Sequence, residues 1–223
     1  MSKIYQNLIY PVAKRTVDIA AALVGISLLG PVMLVILIAR KMERPTRVIF
    51  FQTRIGKNGK LFKLCKFSSM TTTTDEEEKE YFRKLEKENP KLMEEYRRSN
   101  FKFKDDPRIT RVGKFIRRFS IDELPQFFNV LRGEMSLVGP RAYKPDELEH
   151  QRKTYPDCEP DIAALLMIKP GVTGLWQVSG RSELDFPQRV KLDAAYARRI
   201  SLLEDFRIII KTPFVMLGGR GAY

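Results

Sequence analysis

With 223 residues, the chain is long enough to bury a sizeable core as one domain or two small ones. Forty Lys+Arg against 27 Asp+Glu give a net charge of +13, which calls for an anionic partner: nucleic acid, an anionic lipid surface or a phosphorylated substrate. Two cysteines, Cys65 and Cys158, make no disulfide framework, and the lone His150 lies in a polar run without a second His or Cys, which argues against zinc and against a Ser-His-Asp triad. No Walker A loop and no strand-linked GxGxxG pattern is present.

In chain order, the first feature is Ile19 to Ala39, 21 residues without a charge. As a helix they reach about 30 Å, the thickness of a hydrocarbon core. The run is too long for a signal-peptide core, and basic residues follow it where a cleavage site would stand. Gly30-Pro31 falls near its middle, where proline removes a backbone hydrogen bond and predicts a kink. Lys14 and Arg15 precede the run, while Arg40, Lys41, Arg44 and Arg47 follow it. The positive-inside rule would keep both flanks on the cytoplasmic side. A re-entrant helix that turns back at Gly30-Pro31 satisfies both constraints; a kinked span and the core helix of a soluble protein are the alternatives.

Val48 to Phe67 predicts a β-hairpin around Gly56-Lys57-Asn58-Gly59. Thr71 to Thr74 ends that pattern. Asp75 to Arg98 reads as an exposed charged helix with pairs such as Glu80/Lys84, interrupted at Asn89-Pro90. Arg111 to Phe119 predicts a helix with Val112, Phe115, Ile116 and Phe119 on one stripe and Arg111, Lys114, Arg117 and Arg118 on the other. Lys169 to Trp176 reads as a loop leading into a short strand, and Phe186 to Arg199 as a helix. Leu202 to Leu217, interrupted by Pro213, suits either a core or the membrane interface. The fold expected is α+β: a mainly helical, membrane-associated domain with a small β-hairpin and an N-terminal re-entrant membrane helix. Residues 1–47 are expected to form the membrane-helix region, and 48–223 the cytoplasmic region of one functional domain.

Arg117 to Gln126 is the densest chemistry in the chain. Ser120-x-x-Glu123 matches a capping box, in which Asp122 merely complements a helix dipole. A helix start also favours phosphate, and Arg117 and Arg118 would keep Asp122 ionised. An ionised aspartate can attack phosphorus and form an acyl-phosphate, with Glu123 assisting. Carboxylates beside a pyrophosphate suit Mg²⁺. Both readings stand on spacing alone. Arg141 in Gly139-Pro140-Arg141 suits bidentate phosphate contact, and Trp176, Gln177 and Arg181 offer an aromatic face, an amide and a cation for a nucleoside, although core packing accounts for Trp176 equally well.

Several ordered motifs together resemble the bacterial sugar transferase family, the monotopic polyprenyl-phosphate phosphoglycosyl transferases. They are Lys14-Arg15-Thr16-Val17-Asp18, Gln52 to Gly56, Lys66 to Met70, Asp106 to Gly113, Ser120 to Gln126, Phe128 to Arg141, Lys169 to Arg181 and the tail Arg220 to Tyr223. The resemblance implies a membrane helix broken at Pro31 and a covalent phospho-sugar intermediate on Asp122. Glu123 would assist, and Mg²⁺ would be held near the dyad, with Asp122 as its ligand. Lys66, Arg117, Arg118, Gln126, Arg141, Trp176, Gln177 and Arg181 would bind phosphate or substrate. The donor would be a UDP-sugar releasing UMP, the acceptor undecaprenyl phosphate, and the place the cytoplasmic face of a bacterial inner membrane. The charged insert and the tail look like the hexose-1-phosphate branch, so galactose or glucose is expected.

Three positions depart from the pattern. Gly30 replaces the usual Ser before the breaking proline, Ser68 replaces a basic residue after Lys66-Phe67, and Ala142 replaces the second proline of Pro-Arg-Pro. None touches the dyad. A basic nucleic-acid-binding protein would need no apolar 21-mer, so no nucleic acid is expected; a membrane-associated scaffold without chemistry is the other competitor. A homodimer is compatible with the sequence, which does not fix the oligomeric state.

Overall fold

The computed structural model describes residues 10–43, 47–71, 74–99, 103 and 106–217. Arg44, part of Thr71 to Thr74 and the Arg220 to Tyr223 tail lie outside them. The first helix, α1 (Tyr10–Glu43), includes Pro31 and continues beyond it. Its apolar 18-residue window is only 11% buried, with Leu23, Val24, Leu28, Leu34, Val35 and Ile38 all exposed. Within this chain the helix is therefore not a buried core element, because a core helix hides such side chains.

Both ends of α1 are nevertheless fastened to the same body. Near the start, Ala22 packs with Phe62, Leu64, Val130 and Met135, and a Cβ on Gly25 would meet the Phe127 ring at 2.8 Å. Arg15 donates to the carbonyls of Val130 (2.6 Å) and Leu131 (2.9 Å). The buried Asp18 accepts from the Ser136 hydroxyl and the Leu137 amide. Near the other end, Ile36 packs with Phe67 and Ile116. The fully buried Arg40 donates to Thr110 Oγ1 and to the Met70 carbonyl at 3.4 Å. A buried guanidinium costs several kcal/mol of desolvation unless paired; Glu43 supplies the counter-charge.

The predicted hairpin forms. Strands β1 (Ile49–Ile55) and β2 (Leu61–Phe67) pair antiparallel, with Ile55 opposite Leu61 and Ile49 opposite Phe67. Asn58 and Gly59 both take positive φ (57° and 76°) between Lys57 O and Lys60 N, which is why Asn-Gly suits the turn.

The charged stretch becomes two helices, α2 (Asp75–Glu88) and α3 (Pro90–Arg98), parted at Asn89, whose side chain accepts from the Leu92 amide. It is more than a solvated face, which corrects the expectation from sequence. Met93 and Tyr96 are buried, and Phe82, Tyr96 and Phe103 stack beside Arg108, whose guanidinium lies 4.6 Å from the Tyr81 ring centroid. Cation–π contact and the Asp106 ion pair compensate the burial of Arg108.

Helix α4 (Arg111–Arg118) forms as expected and is capped by Thr110. Its stripe is only partly buried: Ile116 is inside, whereas Phe115 is exposed and Phe119 lies past the helix end, because the helix packs through Gly113 against the Ser69 carbonyl. After α5 (Gln126–Arg132) comes β3 (Ser136–Val138), which pairs in parallel with β4 (Gly171–Thr173). The backbones at Gly139 and Gly171 approach so closely that a Cβ on either would sit within 2.4 Å of the other segment, so both must be glycine. The strand anticipated after Lys169 therefore ends before Trp176, which lies on α8 (Leu175–Ser179). Helices α6 (Pro145–Thr154), α7 (Glu159–Leu166) and α9 (Phe186–Arg198) enclose a second core of Tyr143, Leu148, Ile162, Leu165, Phe186 and Val190. The last helix, α10 (Leu202–Leu217), buries Ile208 against Val138 and Tyr196, and leaves Leu203, Phe206, Ile210 and Phe214 exposed.

Candidate active site

An open cleft runs between the hairpin, the turn after α4, the β4–α8 segment and the α2–α3 insert. Asp122 and Glu123 sit half-buried in its wall, on a single 3-10 turn, Ile121–Glu123. The capping box does not form. Ser120 takes a left-handed conformation (φ 54°, ψ 25°) with no side-chain cap hydrogen bond, and Pro125 stands at the N-cap of α5. The Ser120 hydroxyl instead accepts from Arg181 at 2.6 Å, a contact across 61 positions that no local pattern announces. This turn faces the dyad into the cleft rather than along a helix axis.

The two carboxyls have different surroundings. Lys66, reaching from β2, pairs with Glu123 Oε1 at 2.9 Å. Burial pushes Glu123 up, but Lys66, Arg141 and Arg181 outweigh it and hold the carboxyl below its ordinary value. At Asp122 burial wins. Lys66 and Arg117 pull down and Glu123 pushes up, leaving the carboxyl at about 6. Asp122 is thus largely ionised near pH 7 yet more basic than an ordinary aspartate, a combination suited to nucleophilic attack.

Of the residues expected at the site, Lys66, Arg117, Asp122, Glu123, Gln126, Arg141, Trp176, Gln177 and Arg181 all line this cleft. Arg118 does not. It is exposed on α4, with its guanidinium 5.6 Å from the centroid of the Phe119 ring, because adjacent helical positions point about 100° apart. Trp176 is buried between the guanidinium groups of Arg141 (5.4 Å) and Arg189 (5.8 Å), so it shapes the wall as well as lining it. Gln177 is fixed through Nε2 to the Val172 carbonyl. Gly30 and Pro31 lie on α1 and do not line the cleft.

Behind Arg141 lies a network that sequence reasoning missed. Glu147, on α6, stands 3.7 Å from both Arg54 and Arg141. Burial would raise its pKa, but Arg141, Arg54 and Arg189 hold it low. Asp193, on α9, accepts from the Arg141 backbone amide at 2.9 Å; its burial outweighs that bond and the nearby arginines and lifts it to about 7. Glu78, on α2, accepts from Lys144 (3.0 Å) and Gln52 (3.1 Å). The only signal for these was the Gln52-Thr53-Arg54 motif; Glu147 and Asp193 sit in helices that read as ordinary amphipathic ones. Among the described residues, no three His, Cys, Asp or Glu side chains form a metal cage.

The sequence carries the pattern of a known family. The sequence profile of the bacterial sugar transferases matches residues 9–219, and the chain belongs to that family. It is 44% identical over 211 residues to the undecaprenyl-phosphate galactose phosphotransferase of Salmonella typhimurium, an alignment covering 94% of this chain and 41% of that protein. It is 41% identical to the exopolysaccharide production protein ExoY of Rhizobium meliloti, over 95% of this chain and 88% of ExoY. It is 37% identical to the UDP-glucose:undecaprenyl-phosphate glucose-1-phosphate transferase of Escherichia coli, over 94% of this chain and 41% of the relative. The chain thus spans about two fifths of the length of several curated relatives it matches.

Proposed function

We propose that the chain transfers a hexose-1-phosphate from a UDP-hexose to undecaprenyl phosphate, releasing UMP, as the first membrane step of a bacterial surface polysaccharide or glycoconjugate. The observation that carries this is the unequal dyad: Lys66 neutralises Glu123 and leaves Asp122 as the more basic carboxylate in a cleft edged by Arg117, Arg141 and Arg181. The relatives named for undecaprenyl-phosphate galactose and glucose transfer supply the substrate class.

In the first step, an Asp122 oxygen attacks the phosphorus bearing the sugar. The P–O bond to UMP breaks, UMP departs with the bonding pair, and the hexose phosphate remains on Asp122 as an acyl-phosphate. In the second step, a phosphate oxygen of undecaprenyl phosphate attacks the same phosphorus, and the Asp122 carboxylate leaves. Neither step requires a proton from the acceptor, which is already an anion. The cations therefore carry the work: Lys66, Arg117, Arg141 and Arg181 offset charge crowding around the phosphorus. Asp122 would hold Mg²⁺, since such ions need only one or two protein carboxylates, and the ion would neutralise pyrophosphate charge.

Attachment of both α1 ends to one body supports a helix that dips into the cytoplasmic face of the inner membrane and returns, with region 1–47 as the membrane part and 48–223 as the catalytic part. A crossing helix would carry its far end away from that body. Sustained UMP release should require UDP-hexose, undecaprenyl phosphate and divalent metal together; with the acceptor omitted, release should stop at one UMP per enzyme, and mass spectrometry should find the hexose phosphate on Asp122. Full turnover in Asp122→Asn would sink the nucleophile assignment. Cysteines placed at positions 14 and 41 should react from the same side of the membrane; opposite-side labelling would exclude re-entry.

A further inference from the structure

The cleft has two ends of different chemistry. At the dyad end the facing side chains are mostly cationic. At the insert end, α2 brings Glu78 into the cleft, where Lys144 pairs with it and Arg108 stands 3.9 Å away. Paired in this way, that end carries little net charge, unlike the cationic dyad end, and suits a neutral part of the substrate.

We infer that Glu78, Gln52 and Lys144 form the hexose-recognition end of the cleft, reading the sugar's hydroxyls; this rests on the donor being a UDP-hexose, as proposed above. Glu78 Oε2 accepts from Gln52 Nε2 at 3.1 Å, and Lys144 Nζ stands 3.0 Å from each Glu78 oxygen. These bonds fix the three groups without exhausting them. An ionised carboxylate offers about four acceptor sites, a primary amide two donors and an ammonium three, so both acceptors and donors remain for hydroxyls. The trio is also joined to the reaction centre. Gln52 Oε1 accepts from Arg54, and Arg54 responds to the charges of both Glu78 and Glu123. Arg54 in turn donates to the Ala142 carbonyl at 2.9 Å, beside Arg141. Gln52, Glu78 and Lys144 line the same cleft as Asp122 and Glu123. The Tyr96 and Phe103 rings also line this end, stacked 4.6 Å apart. The uridine then points the other way, toward Trp176 and Gln177.

A polar site built for one hydroxyl arrangement rejects another strongly, because its own groups are left unpaired. The test is UMP release by wild type, Glu78→Gln and Lys144→Met, each in membranes with undecaprenyl phosphate, using UDP-galactose, UDP-glucose and UDP-N-acetylglucosamine. Wild type should discriminate between the 4-epimers galactose and glucose. Both variants should compress the ratio of their kcat/KM values at least ten-fold, while KM for undecaprenyl phosphate stays within two-fold. Equal losses with every donor at an unchanged ratio would make Glu78 a structural tie of α2 and overturn the inference, as would a wild type indifferent to the 4-epimer. If a variant does not fold, the other carries the same ratio test; if neither folds, the trio is structural and the inference fails. A wild type that accepts none of these donors would overturn the donor reading itself, and the recognition end with it.

Discussion

Two carboxylate systems face the same arginines from opposite sides of the cleft wall. The dyad, Asp122 and Glu123, is half-buried on a short turn and open to substrate; Glu147 and Asp193 are almost wholly buried on the regular helices α6 and α9. In the dyad, one carboxyl takes the cation and the other is left basic. In the buried pair, Glu147 is held ionised between Arg54 and Arg141, and Asp193 anchors the backbone of Arg141. Charge of the same kind therefore does chemistry on one side and holds geometry on the other. Solvent access and the assignment of cations decide which.

Removing the reacting carboxylate breaks the comparison most sharply. Asp122→Asn should reduce UMP release at least about a thousand-fold, because both displacements pass through that oxygen. Stability should move the other way. With its pKa raised to about 6 in the fold, Asp122 contributes most when protonated, below its ordinary value near 4, and that contribution is lost as pH rises through 6. The neutral amide escapes this loss, so at pH 7 the variant's melting temperature should equal or exceed that of wild type by about 2 °C. A fall in melting temperature together with the loss of activity would mean the carboxylate supports the fold.

Glu147→Gln is the mirror experiment. It leaves Arg54 and Arg141 facing each other without the charge that compensates them, and breaking a buried pair costs about 3 kcal/mol, roughly 6–12 °C for a chain of this size. Thermal unfolding would measure it. Glu147 is held low, so its contribution is present above the ordinary carboxylate range and lost as acid reaches its folded pKa; the gap between wild type and variant should close at low pH. Unchanged stability at neutral pH would show that the pair does not hold the wall.

How much of this contrast the sequence disclosed follows from the range of the interactions. The hairpin, helix α4 and the break at Asn89-Pro90 rest on local rules, and they form where those rules put them. Lys66, Asp122, Glu123 and Arg141 were legible through ordered motifs. Arg118 was named because it neighbours Arg117, yet helical geometry turns it away. The Ser120-x-x-Glu123 spacing is a sound local signal that a distant residue, Arg181, overrides. Glu147 and Asp193 gave no signal at all, since a buried acid paired across 52 positions with a loop amide looks like any polar helix residue. The role of the charged insert was hidden for the same reason: Glu78 is one glutamate among many until α2 turns it toward Lys144.

The acid limb of kcat/KM sharpens the dyad side of the comparison. Activity should rise with an apparent pKa near 6 if Asp122 must be ionised in the free enzyme. Lys66 is the main charge pulling that value down, so Lys66→Gln should move the limb to higher pH as well as lowering the maximum rate. The same substitution releases Glu123 from its partner, which pushes the Asp122 limb in the same direction if Glu123 remains charged. A limb that stays in place would mean that Lys66 serves the phosphate alone. A limb near pH 4 would mean that substrate or solvent relieves the burial of Asp122.

The smallest effect separates the turn from the chemistry it carries. Ser120 holds a left-handed backbone, which costs a non-glycine residue about 1 kcal/mol, and its hydroxyl accepts from Arg181. Ser120→Gly removes the backbone strain but also the hydroxyl, while Ser120→Ala removes the hydroxyl and keeps the strain. Glycine should therefore be the more stable of the two by roughly 1 kcal/mol, about 2–4 °C in melting temperature. Both should lose similar, modest activity, because each frees the same Arg181 donor. If the alanine variant is as active as wild type, Arg181 does not need Ser120 to reach the phosphate. If glycine is inactive while alanine is not, the strained backbone itself aims Asp122, and the turn belongs with the dyad rather than with the buried network behind it.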